Sequence, residues 1–401
     1  MALGALIGAY QEDDSGGLRA LLPLAGKTLI EYQVRCVAAA GAAPIVVSVE
    51  RVPQALQDAF ERLRLDGIGV FPVSDVHEAV SRFEAGSTIL LLGDGIAPSA
   101  QFVTAIAEEP EAVVATVPDD DIHEAFERID AETRWAGIAL VDSKTLGSTA
   151  AILGDWDLQS TLLRRTIQDG ALRWHASEHG GEPLLAERPE QLEAFQRQLI
   201  QGSSAARRDW ASRFILPPVE DLATYQLMRT SVRPTWLLWT ALVLTVGGAV
   251  AFSRGWLGTG LTLLGLSTPL DLIAARLAAI RLKPLAKTSL AQSLLSPAAG
   301  AAVLMLGWWK MRHGSDWGVL LAAIAACAFA EAARLEGTPG PGELWVISRR
   351  NAILLAVPFA IFGTWTAYLI ALFIYAAASF FFLQHARRIA ARVDPKLTEI
   401  G

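Results

Sequence analysis

Cysteine is nearly absent. Cys36 and Cys327 are the only two and stand in different halves of the chain, so neither a disulfide framework nor a cysteine zinc site can be built from them. The six histidines are scattered, and no zinc spacing or Ser-His-Asp set emerges. Basic charge is also short. Lysine and arginine number 34 against 41 aspartates and glutamates, a formal net charge of −7, which removes the electrostatic reason to expect a nucleic-acid partner. The opening MALGALIGAYQEDD has no basic n-region and too short an apolar run for a signal peptide. The first half is therefore expected to stay in the cytoplasm. No internal repeat appears, and low complexity is limited to alanine-rich stretches. Charge of either sign is scarce overall: 19% of residues are charged and 52% hydrophobic, whereas soluble domains average about one quarter charged.

That shortage is confined to one half. Residues 1 to 215 carry acids and bases throughout, while long windows after Thr235 have none. Four apolar runs are long enough to cross about 30 Å of hydrocarbon: Thr235–Phe252, Trp256–Ala275, Ser293–Trp309 and Trp317–Ala333. The uncharged run Asn351–Leu383 is too long for one ordinary span and has Gly363 near its middle. It reads as two further spans, Glu343–Phe362 and Thr364–Leu383, giving an all-α bundle of six. Arg276, Arg281, Lys283, Lys287, Arg334, Arg349 and Arg350 fall in the loops on one side, with Arg387, Arg388, Arg392 and Lys396 in the tail. The other side has only Arg254, Lys310 and Arg312. This bias predicts both termini on the cytoplasmic side, in a bacterial-type inner membrane. Before the first span, VEDLATYQLMRTSV suits a helix lying on the interface. Trp236, Trp239, Trp256, Trp308, Trp309 and Trp317 read as interface anchors, and Glu331 as an interfacial acid.

Asp271 is the exception inside the apolar half. A carboxylate at that depth either reaches water at a helix end or pairs with Arg276 or Arg281, or else has a function. The surrounding DLIAARLAAIRLKPLAKTSLAQS resembles the pattern D-x2-D-G-x2-A-R-x8-G-x3-D-x3-D of CDP-alcohol phosphotransferases, six-span membrane enzymes of phospholipid synthesis. With Ala275-Arg276 on the family's A-R, Asp271 is its second acid. Thr268, Ser289 and Ser293 then stand at the other three acids, and Leu272 and Leu285 at the glycines. The resemblance implies that Asp271 helps hold Mg2+, that Arg276 and the Arg349 of SRRNAILL contact phosphate, and that Ser293 occupies the position of the catalytic base. One acid in place of four is a poor cage for two divalent ions, and a serine is a poor base.

The first half alternates strands and helices. ALGALIGAY, PIVVSVE, IGVFPV, STILLLGDG, EAVVATVP and WAGIALVD read as strands, separated by amphipathic stretches such as KTLIEYQVRCVAAAGA and VPQALQDAFERLRLDG. This predicts a doubly wound α/β domain with a parallel sheet, whose ligands bind beyond the carboxyl ends of strands. VPDDDIHEAFERID, with His123, reads as a solvated loop and helix. LRALLPLAGKTLI resembles the K-P-L-L-P-V-x-G-K-P-L-I segment of nucleotidyltransferases of the sugar-phosphate and MobA types. LLLGDGI resembles their strand ending in a metal-binding acid, here Asp94, and ERPEQL their closing D-T-P-E-D-L, with Glu187 at the second metal acid. The family's phosphate loop corresponds to IGAYQEDDSGGLR, so Gly16, Gly17 and Arg19 are the phosphate-binding candidates, with Arg19 also at the catalytic basic position. Tyr10 replaces a loop glycine, and Glu12, Asp13 and Asp14 would repel a triphosphate. Lys27 reads as structural.

Together the halves resemble bifunctional fusions in phosphoinositol-type lipid synthesis, in which a cytidylyltransferase head makes a CDP-alcohol that the membrane part consumes. The implied domains are 1–205 for the head, 206–234 for a linker, 235–385 for the membrane part and 386–401 for a cytoplasmic tail. The implied ligands are CTP or a CDP-activated donor, Mg2+ and membrane lipids, with a homodimer formed through the membrane part. Both motif sets depart from the family at charged positions. The expectation is therefore lost or altered catalysis with an accessory or ligand-binding role, the alternative being an active transferase with a rearranged site.

Overall fold

The computed structural model describes residues 2–152, 158–179, 181–202, 209–228, 230, 232–282, 290–336 and 343–393. The chain divides into two compact units, Met1–Gly202 with Ile280–Lys283, and Ser203–Ala279 with Pro284–Gly401.

Among the described residues, the first unit has eleven strands: β1 (Leu3–Gly8), β2 (Pro23–Leu24), β3 (Lys27–Thr28), β4 (Ile45–Ser48), β5 (Val70–Val73), β6 (Thr88–Leu92), β7 (Ile96–Ala97), β8 (Val113–Pro118), β9 (Thr133–Asp142), β10 (Leu172–His175) and β11 (Leu184–Leu185). Its helices are α1 (Leu29–Ala39), α2 (Gln54–Leu65), α3 (Val76–Ser81), α4 (Ala100–Ala107), α5 (Ser143–Ala150), α6 (Leu158–Gln168) and α7 (Pro189–Gly202). Seven strands form one sheet in the order β10-β8-β9-β6-β1-β4-β5. The expected all-parallel sheet is corrected at one place: β9 runs antiparallel to both β6 and β8. Residues 119–132, which join β8 to β9, contain no helix, so the chain returns directly beside β8, and a direct return must be antiparallel.

Central strands are apolar on both faces because helices cover both. Leu6, Ile7, Ile89, Leu90 and Leu91 are fully buried, each contributing about 1.5–3 kcal/mol of apolar burial. Register then fixes the site. Ile7 lies opposite Leu92 on one side and Val47 on the other, so β1 and β6 end together and their following loops meet. Thr28 stands just before helix α1 and forms a capping box with Glu31. The fully buried Glu31 also pairs with Arg62 at 2.8 Å, and Lys27 lies 3.7 Å from it.

The second unit is all-helical: α8 (Pro217–Met228), α9 (Pro234–Ser253), α10 (Leu257–Ser267), α11 (Leu270–Ile280), α12 (Leu290–Arg312), α13 (Trp317–Glu336), α14 (Arg349–Ile361) and α15 (Trp365–Val393). Among the described residues, five helical stretches are long and apolar enough to cross a membrane: α9, α10 with α11, α12, α13 and α15. The expected fifth span, Glu343–Phe362, is different. Ser348 caps α14 by accepting from the Asn351 amide, and the helix has 13 residues, about 20 Å at 1.5 Å per residue and short of the hydrocarbon thickness. Helices α9 and α10 approach closely through glycine. A Cβ on Gly248 would sit 3.0 Å from the Gly260 carbonyl oxygen, and one on Gly260 2.5 Å from the Phe252 ring, the small-residue packing that apolar helices use.

Helix α8 is polar on its inner side. Glu220 and Thr224 are buried, while Val219 and Leu222 are exposed, as are Phe214 and Ile215 in the π-helical turn before it.

Candidate functional site

In the first unit the loop after β1 folds onto the turn after β6. The amides of Tyr10 and Gln11 both donate to Asp94 Oδ2, at 2.6 Å each. The other oxygen, Oδ1, is buried and accepts no hydrogen bond. Burial pushes this carboxyl up to about 6, against the two loop amides and Arg19, which favour its charged form. Gly95 next to it has φ +73°, and a Cβ there would lie 3.0 Å from the Ala186 carbonyl oxygen. Glycine thus lets β11 pair with β7, Leu185 opposite Ile96, and brings Glu187 to the same edge. Arg19 holds the two sides together. Its Nη2 reaches Glu187 Oε1 at 2.8 Å, Nη1 the Gln11 side chain at 2.9 Å, and Nε the Glu12 carbonyl at 3.0 Å.

The loop that would receive phosphates is closed by its own acids. Asp13 Oδ1 accepts from the amides of Ser15 and Gly17 at 2.8 Å each and from the Ser15 hydroxyl at 2.7 Å. The Ser15 hydroxyl bond is the main reason the Asp13 carboxyl lies below its ordinary range. Gly16 takes the left-handed turn at φ +79°. Glu12 pairs with Arg51 at 2.7 Å and Asp14 with Arg188 at 2.5 Å. The three acids therefore do more than repel. One fills the amide nest, and two pair with arginines.

Gly16 and Gly17 thus lie in the turn that Asp13 closes, while Arg19, Asp94 and Glu187 come together. Beside them is a cavity of about 120 Å3, lined in part by Asp94, Phe126, Glu127, Trp135, Gln159 and Ser160. The Gln159 amide donates to the Leu92 carbonyl at 3.1 Å, and Ser160 Oγ donates to Glu127 at 2.9 Å. Sequence reasoning missed these lining residues, which sit in unremarkable local sequence. It also misplaced His123, which is buried in a turn and not on a solvated helix. The imidazole contacts Asp120 at 2.7 Å and Glu182 at 3.2 Å.

Among the described residues no three His, Cys, Asp or Glu side chains cluster as a metal site. Asp94 and Glu187 suit a Mg2+ that draws its remaining oxygens from phosphates and water. Asp94 would have to offer its buried Oδ1, and Glu187 would first have to leave Arg19.

In the helical unit Asp271 is held by arginines. Arg349 Nη2 lies 3.0 Å from Oδ1, and Arg350 Nη2 donates to Oδ2 at 2.8 Å. Arg350 also reaches Asp209 at 2.5 Å, and Arg349 the Ser267 hydroxyl at 3.2 Å. The expected pairing of Asp271 with Arg276 is corrected. Five residues along a helix is a rotation of about 140°, so Arg276 faces elsewhere. It is buried against Glu220 at 3.2 Å and Asp221 at 2.5 Å on α8. Ser293 is exposed, its hydroxyl donating to the Leu290 carbonyl of its own helix at 3.0 Å. Thr268 is buried and donates to Gly265, while Leu285 and Ser289 lie outside the described residues. Among the described residues, then, the aspartate is countered by guanidinium groups where the resemblance implies metal. A separate cavity of about 710 Å3 lies among α10, α12, α13, α14 and α15, with mainly apolar walls and Arg349 and Glu331 at its lining.

Residues 15–213 match the family model of the MobA-like NTP transferase domain. The match begins just past Glu12, Asp13 and Asp14. No CDP-alcohol phosphotransferase model matches the helical half, and no curated protein matches the chain. Among solved structures, a Bacillus anthracis protein described as a glucose-1-phosphate thymidylyltransferase in complex with sucrose is similar. It is 13% identical, covers 49% of this chain and 95% of its own, and has a TM-score of 0.40.

Proposed function

We propose that the chain is a divergent membrane-anchored relative of nucleotidyltransferases that serves polar lipid assembly as an accessory or ligand-binding protein, without the usual nucleotidyl or phospho-alcohol transfer. The carrying observation is that the chain's own carboxylates occupy the groups a triphosphate needs. Asp13 fills the loop amides, and Glu12, Asp14 and Glu187 hold Arg51, Arg188 and Arg19. Catalysis at phosphate depends on such donors being available where charge develops. The helical unit supports the same reading, since Arg349 and Arg350 take the charge of Asp271 that a metal would use. The arginine bias of the loops and tail favours an inner-membrane placement with both termini cytoplasmic.

An active transferase is the second reading, favoured by the buried, unpartnered Asp94 Oδ1 beside Glu187. One experiment separates them. Full-length protein in lipid nanodiscs is given radiolabelled CTP with phospho-alcohols, and separately CDP-activated donors, in Mg2+ and in Mn2+. No turnover above protein-free controls is expected. Metal-dependent turnover that Asp94→Asn or Asp271→Asn abolishes establishes the active reading instead.

A further inference from the structure

Small side chains open the larger cavity of the helical unit: Ala299 and Gly300 on α12, Ala326 and Ala330 on α13, Ala352 and Ala356 on α14. Its volume of about 710 Å3 falls within the ~300–1,000 Å3 of sites that hold one small molecule. Most polar side chains in the lining already have partners in the protein. The Tyr368 hydroxyl donates to the Ala352 carbonyl at 3.1 Å, and the Cys327 thiol to the Gly300 carbonyl at 3.6 Å. Ser348 Oγ accepts from the Asn351 amide at 3.1 Å. Arg349 is held by Asp271 and Ser267, and Arg334 donates to Glu331 at 2.6 Å. The surface offered to a ligand is therefore hydrocarbon, and apolar walls favour an apolar guest over water.

The shape is elongated. On α15 the lining reaches from Tyr368 to Leu383, about 22 Å of helix at 1.5 Å per residue. The ~30 Å hydrocarbon core of a bilayer is two chains deep, so one lipid chain covers about 15 Å. Charged members of the lining collect near the end of α13, with Glu331 and Arg334, and at the start of α14, with Arg349. The helices around the cavity include α12, α13 and α15, each long and apolar enough to cross a membrane, which sets it at hydrocarbon depth. Length, wall chemistry and a single polar end agree on a lipid chain below its head group.

We infer that this cavity holds one hydrocarbon chain of a bilayer lipid, selected by the chain and not by the head group, because the arginines at the polar end are already paired. The inference rests on the helical unit lying in a membrane, and not on any nucleotide chemistry in the first unit.

Photo-crosslinking of the full-length protein tests it, in nanodiscs containing phosphatidylglycerol with a diazirine midway along one chain. Illumination is expected to label Gly300, Ala330 and Ala352 in the cavity, and also Val243 and Val246, which are exposed on α9. A Cβ on Gly300 meets only the Cys327 sulfur, at 3.8 Å, so Gly300→Phe has room to start and then takes up the space. Gly300→Phe and, independently, Ala352→Leu are each expected to lower labelling at Ala330 about tenfold, with the α9 labels unchanged. The same labelled chain on phosphatidylcholine is expected to agree within about threefold. Thermal unfolding verifies that both variants are folded. Missing cavity labels beside normal α9 labels overturn the inference, as do cavity labels that neither variant lowers. A larger head-group difference overturns selection by the chain. Loss of the α9 labels as well overturns the membrane placement itself, so the two failures are read separately.

Discussion

The two units answer the same electrostatic problem in opposite ways. In the α/β unit, backbone amides and arginines suited to an anion are covered by acids; in the helical unit, an acid suited to a cation is covered by arginines. Depth separates them. Glu12–Arg51 and Asp14–Arg188 are exposed pairs, of a kind worth about 0.2–1 kcal/mol each. The Asp209–Arg350–Asp271–Arg349 chain has side chains only 4–20% exposed, and opening a buried pair typically costs about 3–5 kcal/mol. The loop is therefore a reversible cover, while the helical cluster is a fixed part of the unit.

The largest effect is expected at Arg350. Arg350→Ala leaves Asp209 with no arginine from this cluster and Asp271 with Arg349 only, and is predicted to destabilise the helical unit by about 3–5 kcal/mol. Thermal unfolding in nanodiscs measures this. Adding Asp271→Asn to the same chain should recover part of the loss, and no recovery would break the assignment of the loss to an uncompensated charge.

Asp94 comes next, with a pH signature. Its carboxyl takes a proton near pH 6 when folded against an ordinary value of 3.8. The folded chain thus binds the extra proton between these values, and stability falls as pH rises through that window and stays lower above it. The cost above pH 6 is on the order of 3 kcal/mol. Asp94→Asn keeps an oxygen for the Tyr10 and Gln11 amides and is predicted to stabilise the protein above pH 6 by a few kcal/mol at most. Denaturation as a function of pH detects this. An unchanged slope between pH 4 and 6 would show that Asp94 titrates normally.

The smallest stability change belongs to the loop. Asp13→Gly is expected to cost about 1 kcal/mol yet to tighten tripolyphosphate binding by about tenfold or more, because the Ser15 and Gly17 amides are released. Glu12→Gln should give a smaller gain by freeing Arg51. Equal affinities in the native chain and Asp13→Gly would remove the contrast between a reversible and a fixed cover.

Periodicity and turn residues made the α/β alternation and the apolar spans readable, because both are local properties. Pairings between distant residues were not. Arg51 and Arg188 lie 39 and 174 positions from their acids, and Arg350 lies 79 from Asp271, so nothing in the short stretch around Asp271 announces its partner. The reversal of β9 was hidden for a related reason. A buried antiparallel strand has the same unbroken apolar pattern as a parallel one, and only the helix-free connection from β8 distinguishes them. The candidates Asp94 and Glu187 stand in short motifs, whereas Glu127, Gln159 and Trp135 carry no local signature.

Helix α8 bears on how the molecule can be divided. Its Glu220 is buried against Arg276, while Val219 and Leu222 are exposed. A fragment ending at residue 202 would lack this helix altogether, along with the Ile280–Lys283 segment of its own unit. One ending at residue 228 would keep its oily side while losing the arginine that shelters Glu220, leaving a strip that sticks to other copies or to detergent. The place to cut for the head therefore lies before Phe214, close to the boundary at 205 expected from the sequence.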